Sequence, residues 1–361
     1  MHFRKKRYIA ILLLILIASG TISHAQPLKN SFEQFSNTEI NHNEIIDQGL
    51  QKLCKENKLI INKPTLLPRT LLLIKLEKWY NSHPMVEFAS LIETTITIKF
   101  IDGSYTLLID IFKLMNNCNT KNEKTYHNPI YDFSCNTLGQ TALILNPSEY
   151  LYGNRHCKKI INILIDKGYN IVYLANEDVD LPYIKYNLQA EIIYMNTHAG
   201  YWDIDGDNES DAVVIATGEY WTNETEEIYQ FEYENQMIVE GMVGDNSFIA
   251  FTPALIDHYY ELGDLPDSMV YMATCYATFD DSMANAFLDS GASAYMGWTR
   301  NTIFWTNSLT SVLAFRLFAR GFTVKQVCRL IRFGSILNFL IRSKLTFYGV
   351  GEHKILEYRD T

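Results

Sequence analysis

Cysteine is scarce, with six residues in a chain of 361. That is far too sparse for a disulfide scaffold, so the core has to come from packing. Basic charge is also short: 31 Lys and Arg stand against 41 Asp and Glu, a formal net charge of −10. This balance argues against a nucleic-acid binder that works through a basic surface. No G-x-S-x-G, H-E-x-x-H or G-x-x-x-x-G-K-[ST] occurs, which removes the usual serine-hydrolase, zinc-protease and P-loop signatures. No C-x-x-C occurs either, so neither a zinc ribbon nor a thioredoxin-type redox site is indicated. After the N-terminus no segment reads as a membrane span, since the apolar stretch 303–319 carries Arg316. What remains is an ordinary globular composition, 47% hydrophobic and 20% charged, of a length that suits two domains.

The first 25 residues read as a signal peptide. Arg4, Lys5, Lys6 and Arg7 form a basic start, an apolar run extends from Ile9 to Ala18, and Ser23-His24-Ala25 offers small residues for cleavage. An uncleaved anchor is the other reading of the same run. Removing four cations and no acids takes the formal charge from −10 to −14. The expected product is exported, either secreted or held in the cell envelope, with no stable span once the signal is gone. Export permits disulfides among Cys54, Cys118, Cys135, Cys157, Cys275 and Cys328, without fixing their pairing.

Residues 26–138 read as a smaller α+β unit, an accessory or pro-domain. Thr95–Phe100 and Tyr105–Ile111 flank Asp102-Gly103, a hairpin signal. The polar stretch 116–126 reads as an exposed linker. From 139 to 361 the rhythm alternates between strands and helices. Apolar runs at 141–145, 170–175, 190–196, 268–273 and 292–298 are separated by helical patterns, the first at Arg155–Lys167 closed by Gly168. Such alternation predicts an α/β fold, a mostly parallel sheet with helices on both faces. The insert 212–251, rich in aromatic and β-branched residues, predicts hairpins.

In open α/β sheets, reacting groups gather beyond the carboxyl ends of the strands. The third run ends in Thr197-His198-Ala199-Gly200 and the fourth in Thr274-Cys275-Tyr276-Ala277. An imidazole and a thiol at two such tips would converge if the strands are neighbours, as nucleophilic catalysis needs. Taken singly, each has a plainer reading as a buried strand-end residue. His156 and His258 fall on helical patterns and read as structural.

At His198 and Cys275 the chain resembles the caspase-like cysteine peptidases, the group of caspases, legumains, gingipains, clostripain and separase. That family has one hydrophobic strand ending in His-Gly and another ending in Ala-Cys. The segment MANAFLDSGASAYMGW (283–298) is similar to the stretch after the cysteine in gingipain-like and CHAT-type domains, and LTFYG (345–349) to their closing strand. The resemblance covers about residues 140–355. It implies a caspase-like three-layer sandwich and an endopeptidase acting through a thioester. His198 would be the general base and acid and Cys275 the nucleophile, with the backbone N–H groups of Gly200 and Cys275 holding the oxyanion. Ala199 intervenes before Gly200 and Thr274 directly precedes Cys275. The separation of 77 residues exceeds the caspase spacing, about 50, so a true caspase is excluded.

The pocket for the residue before the scissile bond would draw on Asp280, Asp281, Trp298 and Thr299, and an acidic wall would favour Arg or Lys there. The alternative is that Asp280 and Asp281 cap the next helix. Past the histidine, Asp203, Asp205, Asp207 and Asp211 surround Gly206. They can converge on a structural Ca²⁺ or form a solvated acidic loop, although the spacing is not that of an EF-hand. No cofactor is required by the expected chemistry, and the expected partner is a protein or peptide substrate. A non-catalytic surface or calcium-dependent binding protein on the same scaffold is the second hypothesis, and a chance placement of His198 and Cys275 the third.

Overall fold

The computed structural model describes residues 41–61, 66–109, 131–133 and 140–354. The signal segment, the 116–126 linker and the side chains of Cys54, Cys118 and Cys135 lie outside the described residues. Two N-terminal helices, α1 (His42–Ile61) and α2 (Leu66–Tyr80), precede three strands, β1 (Val86–Ile92), β2 (Thr95–Phe100) and β3 (Tyr105–Ile109). After β4 (Tyr131–Phe133) come β5 (Thr141–Asn146), α3 (Glu149–Tyr152), α4 (Arg155–Ile165), β6 (Asn170–Ala175), α5 (Leu181–Tyr186) and β7 (Ile192–Met195). The next stretch holds β8 (Ala199–Trp202), β9 (Ala212–Tyr220), α6 (Asn223–Ile228), α7 (Gln230–Glu234), β10 (Ile238–Val243) and β11 (Asn246–Phe251). The last elements are α8 (Pro253–Tyr259), β12 (Met269–Met272), α9 (Ser282–Asp289), β13 (Ala294–Trp298), α10 (Phe304–Phe318), α11 (Val324–Leu330), α12 (Ile336–Leu340) and β14 (Leu345–Gly349).

The protein is α/β and builds two seven-stranded mixed sheets. One runs β14-β13-β12-β7-β5-β6-β4. Its five central strands are parallel, and β14 and β4 close it as antiparallel edges. These strands read as unbroken apolar runs because both of their faces are covered. Ile192 and Tyr194 of β7 join the core under α4, α10 and α11, while Ile193 and Met195 join the core on the opposite face.

Helix α4 shows the local logic. His156, Cys157, Ile160, Ile161 and Leu164 form its buried stripe. The helix ends as Tyr169 N–H bonds the Leu164 carbonyl, with Gly168 at φ 84° supplying the left-handed turn.

The second sheet, β1-β2-β3-β10-β11-β9-β8, differs from the single sheet expected. All its pairs are antiparallel except β3 with β10. Ile215, Ile249 and Phe251 on its inner face share a core with Leu143, Ile193 and Val270 of the parallel strands. The β3–β10 pairing, reinforced by Thr106 Oγ1 donating to buried Glu240, joins chain from before residue 138 to chain well after it. The division at 138 therefore runs through one hydrogen-bonded sheet. Among the described residues, Cys157, Cys275 and Cys328 form no disulfide, and no helix is long and apolar enough to cross a membrane.

Candidate active site

Strands β7 and β12 are parallel neighbours, with Met195 opposite Met272 and Ala273 N–H bonding the Met195 carbonyl at 2.8 Å. His198 and Cys275 each stand three residues beyond that matched pair, so both leave the same edge of the sheet in register. Neighbouring strands lie about 4.8 Å apart. The two groups singled out from the sequence thus sit at adjacent strand tips.

Each is held differently. His198 is buried, its Nε2 is 3.2 Å from the Tyr152 hydroxyl, and its carbonyl accepts the Ala216 N–H at 3.0 Å. Tyr152 comes from α3, just past β5, and stacks on Phe304 at 3.8 Å between ring centres. Cys275 is half-buried, and its Sγ lies between Asn301 Oδ1, to which it donates at 3.2 Å, and the Thr302 N–H, which donates to it at 3.2 Å. The loop after β13 therefore positions the thiol. Tyr276, immediately after it, is held at φ 59°. A bulky residue in the left-handed region costs energy, and such strain gathers at functional sites.

Beneath both tips runs a chain of buried amides that sequence reasoning missed. Asn196 Nδ2 donates to Asn146 Oδ1 at 2.8 Å, Asn307 Nδ2 donates to the Ala273 carbonyl at 2.6 Å, and Trp298 Nε1 donates to Asn307 Oδ1 at 2.9 Å. Four strand ends, those of β5, β7, β12 and β13, are tied together this way. Tyr152 was also missed. The N-terminal strands reach the same place: Thr94 Oγ1 and the Tyr276 hydroxyl are 2.8 Å apart, and Glu93 pairs with Arg300, next to Asn301.

The other expected positions fall in different settings. Gly200 lies inside β8 opposite Val214, and a Cβ there would meet Thr95 Oγ1 at 2.9 Å. Its lack of a side chain is required by close packing against Thr95 of β2. Trp298 has no exposed surface, so it supports the amide floor and cannot line an open pocket. Asp280 accepts from Ser282 N–H at 2.9 Å and from Ser210 Oγ at 3.1 Å, which makes it a brace at the start of α9. Asp281 is exposed, and Thr299 pairs with Lys344 beside β14. His156 is buried against Cys157, and desolvation holds its imidazole down at about 4, neutral at physiological pH.

In the acidic loop, carboxylate oxygens of Asp203, Asp205 and Asp211 lie within 4.8 Å of one another, and Asp207 stays outside the group. Asp203 is fully buried and accepts the Gly206 and Asn208 N–H groups at 2.7 and 2.9 Å. Oxygens each about 2.4 Å from one Ca²⁺ can be no further apart than about 4.8 Å, so these three side chains can share an ion.

No family model, curated protein or solved structure matches the chain. Its chemistry therefore has to be argued from the site itself.

Proposed function

We propose that the chain is an exported cysteine endopeptidase with a caspase-like fold, and that His198 and Cys275 are its catalytic dyad. The observation that carries this reading is the register of the two strand tips. The Cys275 thiol attacks the scissile carbonyl as the imidazole of His198 takes its proton. The tetrahedral intermediate collapses to a thioester, and the same proton leaves with the amine. A water then attacks the thioester, returning the thiol and the carboxylic acid, with His198 again managing the proton. Backbone N–H groups at the Cys275 tip would hold the oxyanion.

A peptide bearing a thiol-reactive electrophile, with the residue before the scissile position varied, tests the assignment. Wild type should be labelled and Cys275→Ala should not; equal labelling of both would end it. A wild type that no such probe labels would favour a non-catalytic surface or binding protein on this scaffold.

The three converging carboxylates favour a second component, a structural Ca²⁺ ordering the loop just past His198. Calcium should raise the melting temperature, by about 2.7 kcal/mol of stabilisation when the free ion is a hundredfold above its Kd. Asp205→Asn, an exposed change, should remove that response. A melting temperature indifferent to calcium in wild type would exclude the ion.

A further inference from the structure

One surface carries a charge pattern opposite to the rest of the molecule. Between Asp289 and Glu352 the sequence contains eight Lys or Arg and not one Asp or Glu, in a chain of net charge −10. Arg300 pairs with Glu93 and Lys325 with Glu352. For the other six, Arg316, Arg320, Arg329, Arg332, Arg342 and Lys344, no ion pair occurs among the described residues, and all but the half-buried Lys344 are exposed.

The same elements expose large apolar side chains. Ile336 is 75% exposed, Leu340 67%, Leu309 63%, Leu330 60%, Phe339 56% and Trp305 52%. They come from α10, α11 and α12, and Trp305, Leu309 and Leu313 stand at four-residue intervals along one face of α10. Leu309, Leu330, Ile336 and Phe339 line an open groove of about 610 Å³, together with Arg329 and Arg332. Apolar clusters of this kind are rare on surfaces that face only water.

We propose that this α10–α12 face is a peripheral docking surface for an anionic membrane. Charge selects the occupant. A second copy would set cations against cations, with no acid on the face to answer them. A bilayer surface rich in anionic lipid answers six unneutralised cations, while protruding Trp, Phe, Leu and Ile side chains enter the boundary between headgroups and acyl chains. Prominence also fits a bilayer. Side chains at the floor of a groove built for a helix are already half-sheltered, whereas these stand out at 52–75%. The proposal is independent of the catalytic reading.

Flotation of the full-length chain with vesicles tests it. Vesicles of phosphatidylcholine and phosphatidylglycerol in equal parts should bind the wild type, pure phosphatidylcholine should bind it far less, and added salt should weaken binding. Each cation near such a surface contributes about fivefold to partitioning, so Arg329→Gln with Arg332→Gln should weaken it about 25-fold. Leu309→Ser with Ile336→Ser should weaken it about tenfold or more. These variants retain the N-terminal apolar run, so any difference belongs to this face. The emission of Trp305, isolated as wild type minus Trp305→Phe, should shift to the blue with the anionic vesicles, a readout that no folding defect can mimic. Equal binding to neutral and anionic vesicles, undiminished binding by both double variants, or a Trp305 signal that vesicles do not move would each overturn the proposal. So would a Trp305 signal that responds to an acidic amphipathic peptide and not to vesicles, which would make the face a protein-docking groove.

Discussion

Replacing His198 by alanine is expected to lower peptide-bond turnover by about 10²- to 10⁴-fold while leaving the chain folded. In the proposed mechanism the imidazole both accepts the Cys275 proton and delivers it to the leaving amine. Its removal also takes a partner from the Tyr152 hydroxyl, which costs about 1–3 kcal/mol of stability. That loss shows in the melting temperature and is far too small to account for the activity. Tyr152→Phe separates the two effects. The ring keeps its stack on Phe304 and loses only the oxygen, so kcat should fall moderately, with an altered pH–rate profile and little change in KM. Steady-state kinetics on a peptide chosen by the labelling screen would decide the matter. His198→Ala turning over within tenfold of wild type would remove the imidazole from the mechanism.

The part of the site legible in the sequence is the part that short-range pattern encodes. Two apolar runs ending in His198 and Cys275 announced buried strands with an imidazole and a thiol at their tips, and parallel pairing placed those tips side by side. The stripe from Cys157 to Leu164, with Gly168 beyond it, fixed α4 in the same local way. The second sheet was not legible, because β3 pairs with β10 across more than a hundred residues and in parallel. Nothing in either strand's alternation names its partner. The amide floor had a fainter signal. Both TALILN and IIYMN end in asparagine, at Asn146 and Asn196, and an asparagine at a strand end reads as a turn former. Only the strand order β7-β5 makes the two side chains meet. Trp298 was misplaced as a pocket wall because a position at a strand end in the sequence does not say that the side chain there is fully buried. Asn307, which accepts the Trp298 indole N–H, stands nine residues on, in α10.

Gly218→Ala is expected to destabilise the fold by about 3 kcal/mol or more, from the addition of one methyl group. A Cβ at 218 would lie 1.7 Å from the Asn176 carbonyl oxygen and 2.4 Å from its carbon, so backbone has to move. That backbone is fastened on several sides. The Gly218 N–H bonds the Val179 carbonyl at 2.8 Å, the Val179 N–H bonds the Asn176 carbonyl, and Asn176 Oδ1 accepts the Tyr150 N–H at 2.7 Å. Gly153→Ala supplies the contrast. A Cβ there meets nothing within 4 Å, and only its backbone conformation, φ 69° with ψ −176°, opposes it, for about 1–3 kcal/mol. The two variants thus weigh collision against dihedral strain in one host, and urea denaturation reads both. The collision reaches the site as well. Strand β9 carries Ala216, whose N–H holds the His198 carbonyl, so displacing β9 from the Asn176 turn pulls on the histidine's anchorage. Any Gly218→Ala protein that folds should therefore lose turnover beyond its loss of stability, whereas Gly153→Ala should lose little. Wild-type stability and turnover in Gly218→Ala would mean that β9 can step away from this turn freely, and that His198 is anchored by something other than the β8–β9 ladder.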